Sequence, residues 1–469
     1  MTEHVAFDSS AGRVAERVED AQDLIELIAK DLAQVDSGRP FVALSWPVPS
    51  VPSERLLAAE ADGDALLWAP PGAEEACGLG AAFTLGARGD ARFESIRAQA
   101  ERVWPMLDDS RSEAGPSPRF VGGFAFQPGQ AERGLWTGFG DARFVLPELS
   151  YLRSAGGAWL RLIVPNTGWE RAKFRARLEP RLSRAVQALF TPAPTPEPAR
   201  ELSREELPAD AWAALVAAIQ SEIKQGHAQK IVAARRVCLN LDREISAAGV
   251  HARLRADAPE STRFAFRVGS ATFLGATPEQ LVQKRGYDLY TEAVAGSINA
   301  DDQTAATRLL ESGKDIREHE FVVSEILRLL APLTSELSQA PQREVHRLRT
   351  VLHLRTLIQG KLRDNSHVLD LVAKLHPTPA VAGVPTPAAI DFIARHEPDP
   401  RGWYAGPVGW FDRAGDGRFV VALRSGVVAS KRAELYAGAG VVQDSNAPSE
   451  FAETRWKLAA LLGALGVSG

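Results

Sequence analysis

Two rhythms of apolar residues run along this chain. From Ala15 to Leu32 the apolar positions fall three and four apart (A-E-R-V-E-D-A-Q-D-L-I-E-L-I-A-K-D-L), which predicts an amphipathic helix. Shorter apolar or alternating runs follow, F-V-G-G-F-A-F, A-R-F-V-L-P-E-L-S-Y-L and A-W-L-R-L-I-V, bounded by Gly and Pro. These predict antiparallel strands. Helical spacing returns in F-R-A-R-L-E-P-R-L-S-R-A-V-Q-A-L-F, just before T-P-A-P-T-P-E-P at 191–198. Proline at every second position rules out a helix or a central strand there. The stretch near 191–204 therefore reads as a connector between an N-terminal α+β part, 1–195, and a C-terminal part, 205–465.

The C-terminal part repeats the mixture. A helix is predicted from about Asp210 to Gln225, closed by Gly226. Strands are predicted at K-I-V-A-A-R-R-V, R-F-A-F-R-V and A-T-F-L-G-A-T, and one long helix from about Gln303 to Leu330. F-V-V-A-L-R-S-G-V-V and A-E-L-Y-A-G-A-G-V-V predict a closing hairpin. No regular strand–helix–strand beat appears. The expected fold class is α+β: large antiparallel sheets in a sandwich-like core, with helices packed outside.

Composition narrows the function only by exclusion. The 469 residues are 45% hydrophobic and 24% charged, with net charge −5, an ordinary globular balance. No basic patch points to nucleic acid. No apolar run reaches the roughly 18 residues of a membrane span, and the N-terminus lacks a leader pattern. Cys77 and Cys238 are far apart and outside any metal-binding spacing. A cytoplasmic protein, monomeric or homodimeric, is expected. Neither a P-loop nor a kinase signature is present, which argues against phosphoryl transfer.

The chemistry gathers around two acidic helix faces. S-E-F-A-E-T-R-W-K at 449–457 puts Glu450, Glu453 and Lys457 on one face, and K-D-I-R-E-H-E at 314–320 does the same for Asp315 and Glu318. Alone, Glu453 and Lys457 make a surface ion pair worth about 0.3–0.5 kcal/mol. Facing each other, the two pairs suit a hard cation such as Mg²⁺, which takes one or two direct carboxylates and fills its shell with water and substrate oxygens. Other groups fit a small polycarboxylate beside it. Glu279 follows a strand in G-A-T-P-E-Q-L, Lys230 opens another, Arg424 offers a carboxylate fork in V-A-L-R-S-G, and Y-A-G-A-G-V-V lets backbone N–H groups approach an anion.

These stretches occur in a fixed order with E-A-V-A-G-S, L-H-P-T-P-A-V-A-G-V-P and W-Y-A-G-P-V-G-W. Over roughly residues 205–465 the chain resembles the chorismate-utilising enzymes, and among their branches most resembles the isochorismate synthases. The resemblance implies the following roles. Lys230 is the base that activates water for attack at C2 of chorismate, and Glu279 is the acid that protonates the departing C4 hydroxyl. Glu318 and Glu453 bind Mg²⁺ directly, while Asp315 and Glu450 hold its waters. Tyr404, Arg424, Gly438, Gly440 and Lys457 hold the substrate carboxylates. Gly296 and Ser297 line the ring, with His353 and Ala380 beside it. Lys230 also separates branches, because ammonia-using members are expected to lack it. Taken singly, Lys230 reads as a surface lysine, and His353 or Tyr404 as core packing. A salicylate synthase, which goes on to eliminate pyruvate, and a silent chorismate-binding paralogue are the alternatives. The stretch between A-G-S and K-D-I-R-E-H is shorter than in typical relatives and lacks their basic residues. Base chemistry requires Lys230 neutral, and acid chemistry requires Glu279 protonated, which a dry site would favour.

Overall fold

The alternating runs become strands that join one continuous network. This computed structural model describes residues 20–467 apart from 61–62, 111–114, 167, 193–195, 301–302 and 350. Residues 15–19 of the predicted first helix lie outside that set. From Asp20, whose carboxylate accepts from the N–H groups of Gln22 and Asp23, the helix runs Ala21–Ala33.

The long strand Ala142–Ser154 is the junction of the network. One edge pairs with Glu75–Ala87. The other edge pairs first with Arg119–Phe124 and then with Gly157–Pro165. From the first edge an arm passes through Ala65–Ala69, Thr262–Val268, Ala271–Thr277, Ser425–Ala429 and Arg432–Val441 to Lys230–Leu241. From Arg119–Phe124 a second arm passes through Pro407–Asp412, Gly417–Val421, Gln280–Arg285 and Asp288–Asn299 to Val351–Leu362. These pairings are antiparallel; Phe41–Pro47 with Leu107–Asp108 is parallel. Both arms thus cross the Pro-rich stretch, through Arg263 opposite Ala69 and Val408 opposite Gly123.

The arms face each other across one core. Trp68, Phe264 and Phe273 from the first arm cluster with Phe144 of the junction strand and with Phe411 and Phe419 from the second. The first arm's other face packs Leu67, Leu239 and Leu435 against helices carrying Leu24, Leu56, Leu178, Leu254 and Leu461. Each such side chain contributes about 1.5–3 kcal/mol on burial. The result is the expected mixed helical and antiparallel-sheet fold. No helix among the described residues is long and apolar enough to cross a membrane.

Two predicted elements differ. The helix expected from about Gln303 to Leu330 is two helices, Ala305–Glu311 and Gly313–Leu330. Ser312 breaks it: its backbone is extended (ψ 105°), and its hydroxyl caps the second helix by accepting from Asp315 N–H. The run F-V-V-A-L-R-S-G-V-V is likewise two strands, Gly417–Val421 and Ser425–Ala429. Arg424 sits between them in the left-handed region at φ +49°. Such backbone costs a non-glycine residue about 1–3 kcal/mol. Only the second strand forms the hairpin with Arg432–Val441.

Candidate active site

The two arms and two helices enclose a cavity of about 300 Å³, and every site residue named from the sequence lines it. The helix Gly313–Leu330 brings Asp315 and Glu318, and Ala447–Leu465 brings Glu450, Glu453 and Lys457. The second helix is fixed at both ends. Asn446 accepts from Ser449 N–H at its start, and Gly466 closes it at φ +89°.

The strands supply the rest, and glycine decides how closely they approach. Lys230 opens its strand, buried to 2% exposure. Gly440 lies on the neighbouring strand, where a Cβ would stand 2.7 Å from Lys230 Cε and 3.1 Å from Glu318 Oε1. A side chain there would push the end of that lysine aside. Gly296, at φ +73°, makes a bulge where the register slips between Ala295 and Ser297. The slip sets Ser297 opposite His353.

Electrostatics differ sharply around the cavity. Burial pushes the Glu279 carboxyl up to about 8, and the neighbouring Glu292 adds to the shift against the opposing charges of Lys230 and Lys457. Glu279 is therefore protonated at neutral pH. Burial also acts on Glu318, but Lys230, whose Nζ donates to Oε1 at 2.7 Å, outweighs it and carries Glu318 below the ordinary range. The expected free amine at Lys230 thus appears as an ion pair. Lys457 is engaged too: it pairs with Glu453 at 2.6 Å and donates to Gly438 C=O at 2.8 Å. Asp315 and Glu450 are raised by burial, each with a carboxylate neighbour adding to it, Glu318 and Glu453 respectively.

The opposite wall carries donors. Burial, with the charges of Arg424 and Lys457, holds the His353 imidazole well below its usual value, so the ring is neutral. Arg424 Nη2 lies 3.2 Å from His353 Nε2. A guanidinium only donates, so Nε2 accepts, which leaves the ring proton on Nδ1. Nδ1–H then donates to Ser297 Oγ at 2.9 Å, with Gly296 C=O at 3.3 Å. Arg424 is lowered by burial to about 10 and stays charged; among the described residues no ion pair of Arg424 is found. Burial raises Tyr404 to about 12, so its hydroxyl keeps its proton; its ring stacks on Tyr436 at 5.4 Å. Trp136 Nε1–H donates to Tyr436 Oη at 3.1 Å, bracing this wall from the N-terminal half. Ala380 completes the lining.

Among the lining residues that were not anticipated are Lys314, Tyr436 and Trp456. Lys314 Nζ donates to Glu450 Oε1 at 3.3 Å. Tyr436 stands two residues from Gly438, on the same strand face, and Trp456 three from Glu453, on the same helix face, so periodicity could have found both.

The carboxylates fit a hard cation. Four of them, on two facing helices, present oxygen donors to one cavity, where burial, with a neighbouring carboxylate adding to it, raises Asp315 and Glu450. Among the described residues no three acidic, His or Cys groups close around a point by themselves. An ion held here would take few protein ligands and complete its shell with water and substrate oxygens.

Comparison with known proteins identifies the family and the fold. A family model described as chorismate binding enzyme matches residues 28–466. The chain is 33% identical over 417 residues to isochorismate synthase MenF of Bacillus subtilis, covering 86% of this chain and 88% of the relative. It is 36% identical over 402 residues to the salicylate biosynthesis isochorismate synthase of Pseudomonas aeruginosa, covering 83% and 82%. The solved structure of MenF, the menaquinone-specific isochorismate synthase from Escherichia coli, superposes with a TM-score of 0.81 at 28% identity, covering 95% of this chain and all of the other.

Proposed function

The chain belongs to the chorismate-binding enzymes, and from that premise we propose that it is a Mg²⁺-dependent isochorismate synthase, an isomerase acting on chorismate. The observation that carries this reading is the pairing of Lys230 with a Glu279 that is protonated at neutral pH, in one cavity. Lys230 takes a proton from water as the water oxygen bonds to C2. The ring double bond shifts, the C4–O bond breaks, and Glu279 gives its proton to the departing hydroxyl, which leaves as water. Water in and water out balance, and a proton returned from Lys230 to Glu279 resets the pair. Glu318 engages Lys230 in an ion pair, so the lysine serves as base once that carboxylate is otherwise occupied.

Glu318 and Glu453 would hold the Mg²⁺, with Asp315 and Glu450 orienting its waters. When bound, the ion supplies a counter-charge for the ring carboxylate and for the charge that develops as the hydroxyl departs. Arg424, Lys457 and Tyr404 orient the substrate carboxylates, with the Gly438 and Gly440 backbone beside them. Ser297, its oxygen accepting from neutral His353, is left to turn its own O–H toward the ring, whose other neighbours are Gly296 and Ala380.

Every lining residue lies between Lys230 and Lys457, which supports reading 205–465 as the catalytic part. Both cysteines are buried and unpaired, in keeping with a cytoplasmic enzyme that feeds menaquinone or siderophore synthesis.

The test is incubation of the purified protein with chorismate and Mg²⁺, with and without EDTA, followed by chromatography. Isochorismate accumulates, and EDTA abolishes it. Salicylate with pyruvate would move the protein to the lyase branch, and chorismate bound without turnover would make it a silent paralogue. Lys230→Ala loses about 10²–10⁴-fold in turnover while still binding chorismate; unchanged turnover removes Lys230 as the base.

A further inference from the structure

A second cavity, of about 380 Å³, adjoins the first, and Pro278 and Arg424 line both. It lies further along the helix that carries Glu453: Glu450, Glu453 and Lys457 face the active site, while Ala460 and Gly463 face this room. Its volume falls within the roughly 300–1,000 Å³ range of small-molecule sites. Its charged groups balance, with Asp257 and Glu260 against Arg349 and Arg424. Arg349 is ion-paired with Asp257 and is 67% exposed, so this pair stands at the outer rim.

The other approach to the active site has a different character. There Lys314 and Trp456 are partly exposed, at 45% for the lysine side chain and 36% for the tryptophan. Behind them stand Asp315, Glu318, Glu450 and Glu453, and each lysine on that side is already ion-paired. Such an opening draws cations and repels a dianion. Arg424, by contrast, is a half-buried guanidinium bonded to a neutral imidazole. Its charge is available to a carboxylate arriving from the second room.

We propose that the second cavity is the vestibule through which chorismate, a dicarboxylate, enters and its isomer leaves, with Arg424 as the residue common to both rooms. The cation then reaches the site from the opposite side, between the two acidic helices. This inference rests on the activity proposed above.

Gly463 offers a clean test, because a Cβ there would meet nothing within 4 Å. Gly463→Cys is made and labelled with benzyl methanethiosulfonate; Cys77 and Cys238 are buried and do not compete. Stopped-flow intrinsic fluorescence then gives the association rate of chorismate, and steady-state assays give kcat/KM. The label lowers both by about tenfold or more, dithiothreitol restores both, and the melting temperature does not move. Gly463→Trp repeats the block permanently. An association rate within about twofold of the unlabelled protein overturns the vestibule. Turnover by the unlabelled protein reports separately on the activity: chorismate that binds without reacting overturns the activity and leaves the association rates to decide the vestibule. A chain that never binds chorismate overturns both.

Discussion

Glu279 and Glu318 line the same cavity, and both are largely shut away from water, yet their carboxyls are driven in opposite directions. Glu279, at the end of a strand, has another carboxyl behind it in Glu292, and its cations are too distant to offset burial. Glu318, on a helix, receives a lysine at hydrogen-bond distance. One residue becomes an acid that keeps its proton at pH 7, the other an anion at that pH. Burial alone assigns neither role; the neighbouring charge decides which carboxyl gives a proton and which binds a cation.

The largest test removes the anionic side. Glu453→Ala and Glu318→Gln should each lose metal-dependent turnover by about 10³–10⁴-fold, the loss of several kcal/mol of charge stabilisation, while circular dichroism and melting stay near wild type. Normal turnover in Glu453→Ala would sink the metal assignment.

Next comes the acid. Glu279→Gln should reduce kcat by about 10²–10⁴-fold with Mg²⁺ affinity unchanged, which separates it from the first pair. Wild-type kcat should fall as pH rises through about 8, where Glu279 loses its proton. Stability carries the same sign. A carboxyl raised above its unfolded value binds a proton only in the folded chain across that interval, so folding stability declines from about 4.5 to about 8. Glu279→Gln should therefore melt higher than wild type at pH 8.5 and no higher at pH 4. A wild-type rate that is flat through pH 9 would remove Glu279 as the acid.

Gly440→Ala is a smaller intervention. The added methyl displaces Lys230 without touching its chemistry, and a misplacement of this size costs about 10²-fold in rate. A crystal structure with Lys230 unmoved and full activity would refute the packing argument. The smallest effect belongs to Lys314→Met. Its contact with Glu450 is half exposed, so Mg²⁺ affinity should change by less than about fivefold, within the ~1 kcal/mol of such pairs; calorimetric titration measures it.

The helix-borne half of this site could be read directly from the chain. Asp315 with Glu318, and Glu450 with Glu453, follow from a spacing of three, which holds wherever a helix forms. In the strand-borne half Lys230, Glu279 and Arg424 stood out singly, and only the resemblance gave them roles and joined Ser297 and His353 to them. Nothing local brings Lys230 to Gly440 or Ser297 to His353; those meetings depend on register, on the bulge at Gly296 and on the left-handed turn at Arg424. The same limit explains the two misread elements. Ser312 looks like any serine within a helical pattern until its hydroxyl is seen to cap the next helix. Arg424 continues an apolar alternation that its own backbone interrupts. Strand existence was legible along most of the chain, but which strands pair across hundreds of residues was not, because pairing is settled by the shared core rather than by either segment.

That pairing has a consequence for how the protein is made. Ala69 leaves the ribosome 194 residues before its partner Arg263 (263 − 69), and Gly123 leaves 285 before Val408 (408 − 123). At about 5–20 residues per second, these edges wait roughly ten seconds to a minute for the strands that cover them. During synthesis the first half of the chain is therefore an unfinished sheet with open edges, the kind of intermediate that chaperones bind and crowded nascent chains aggregate through.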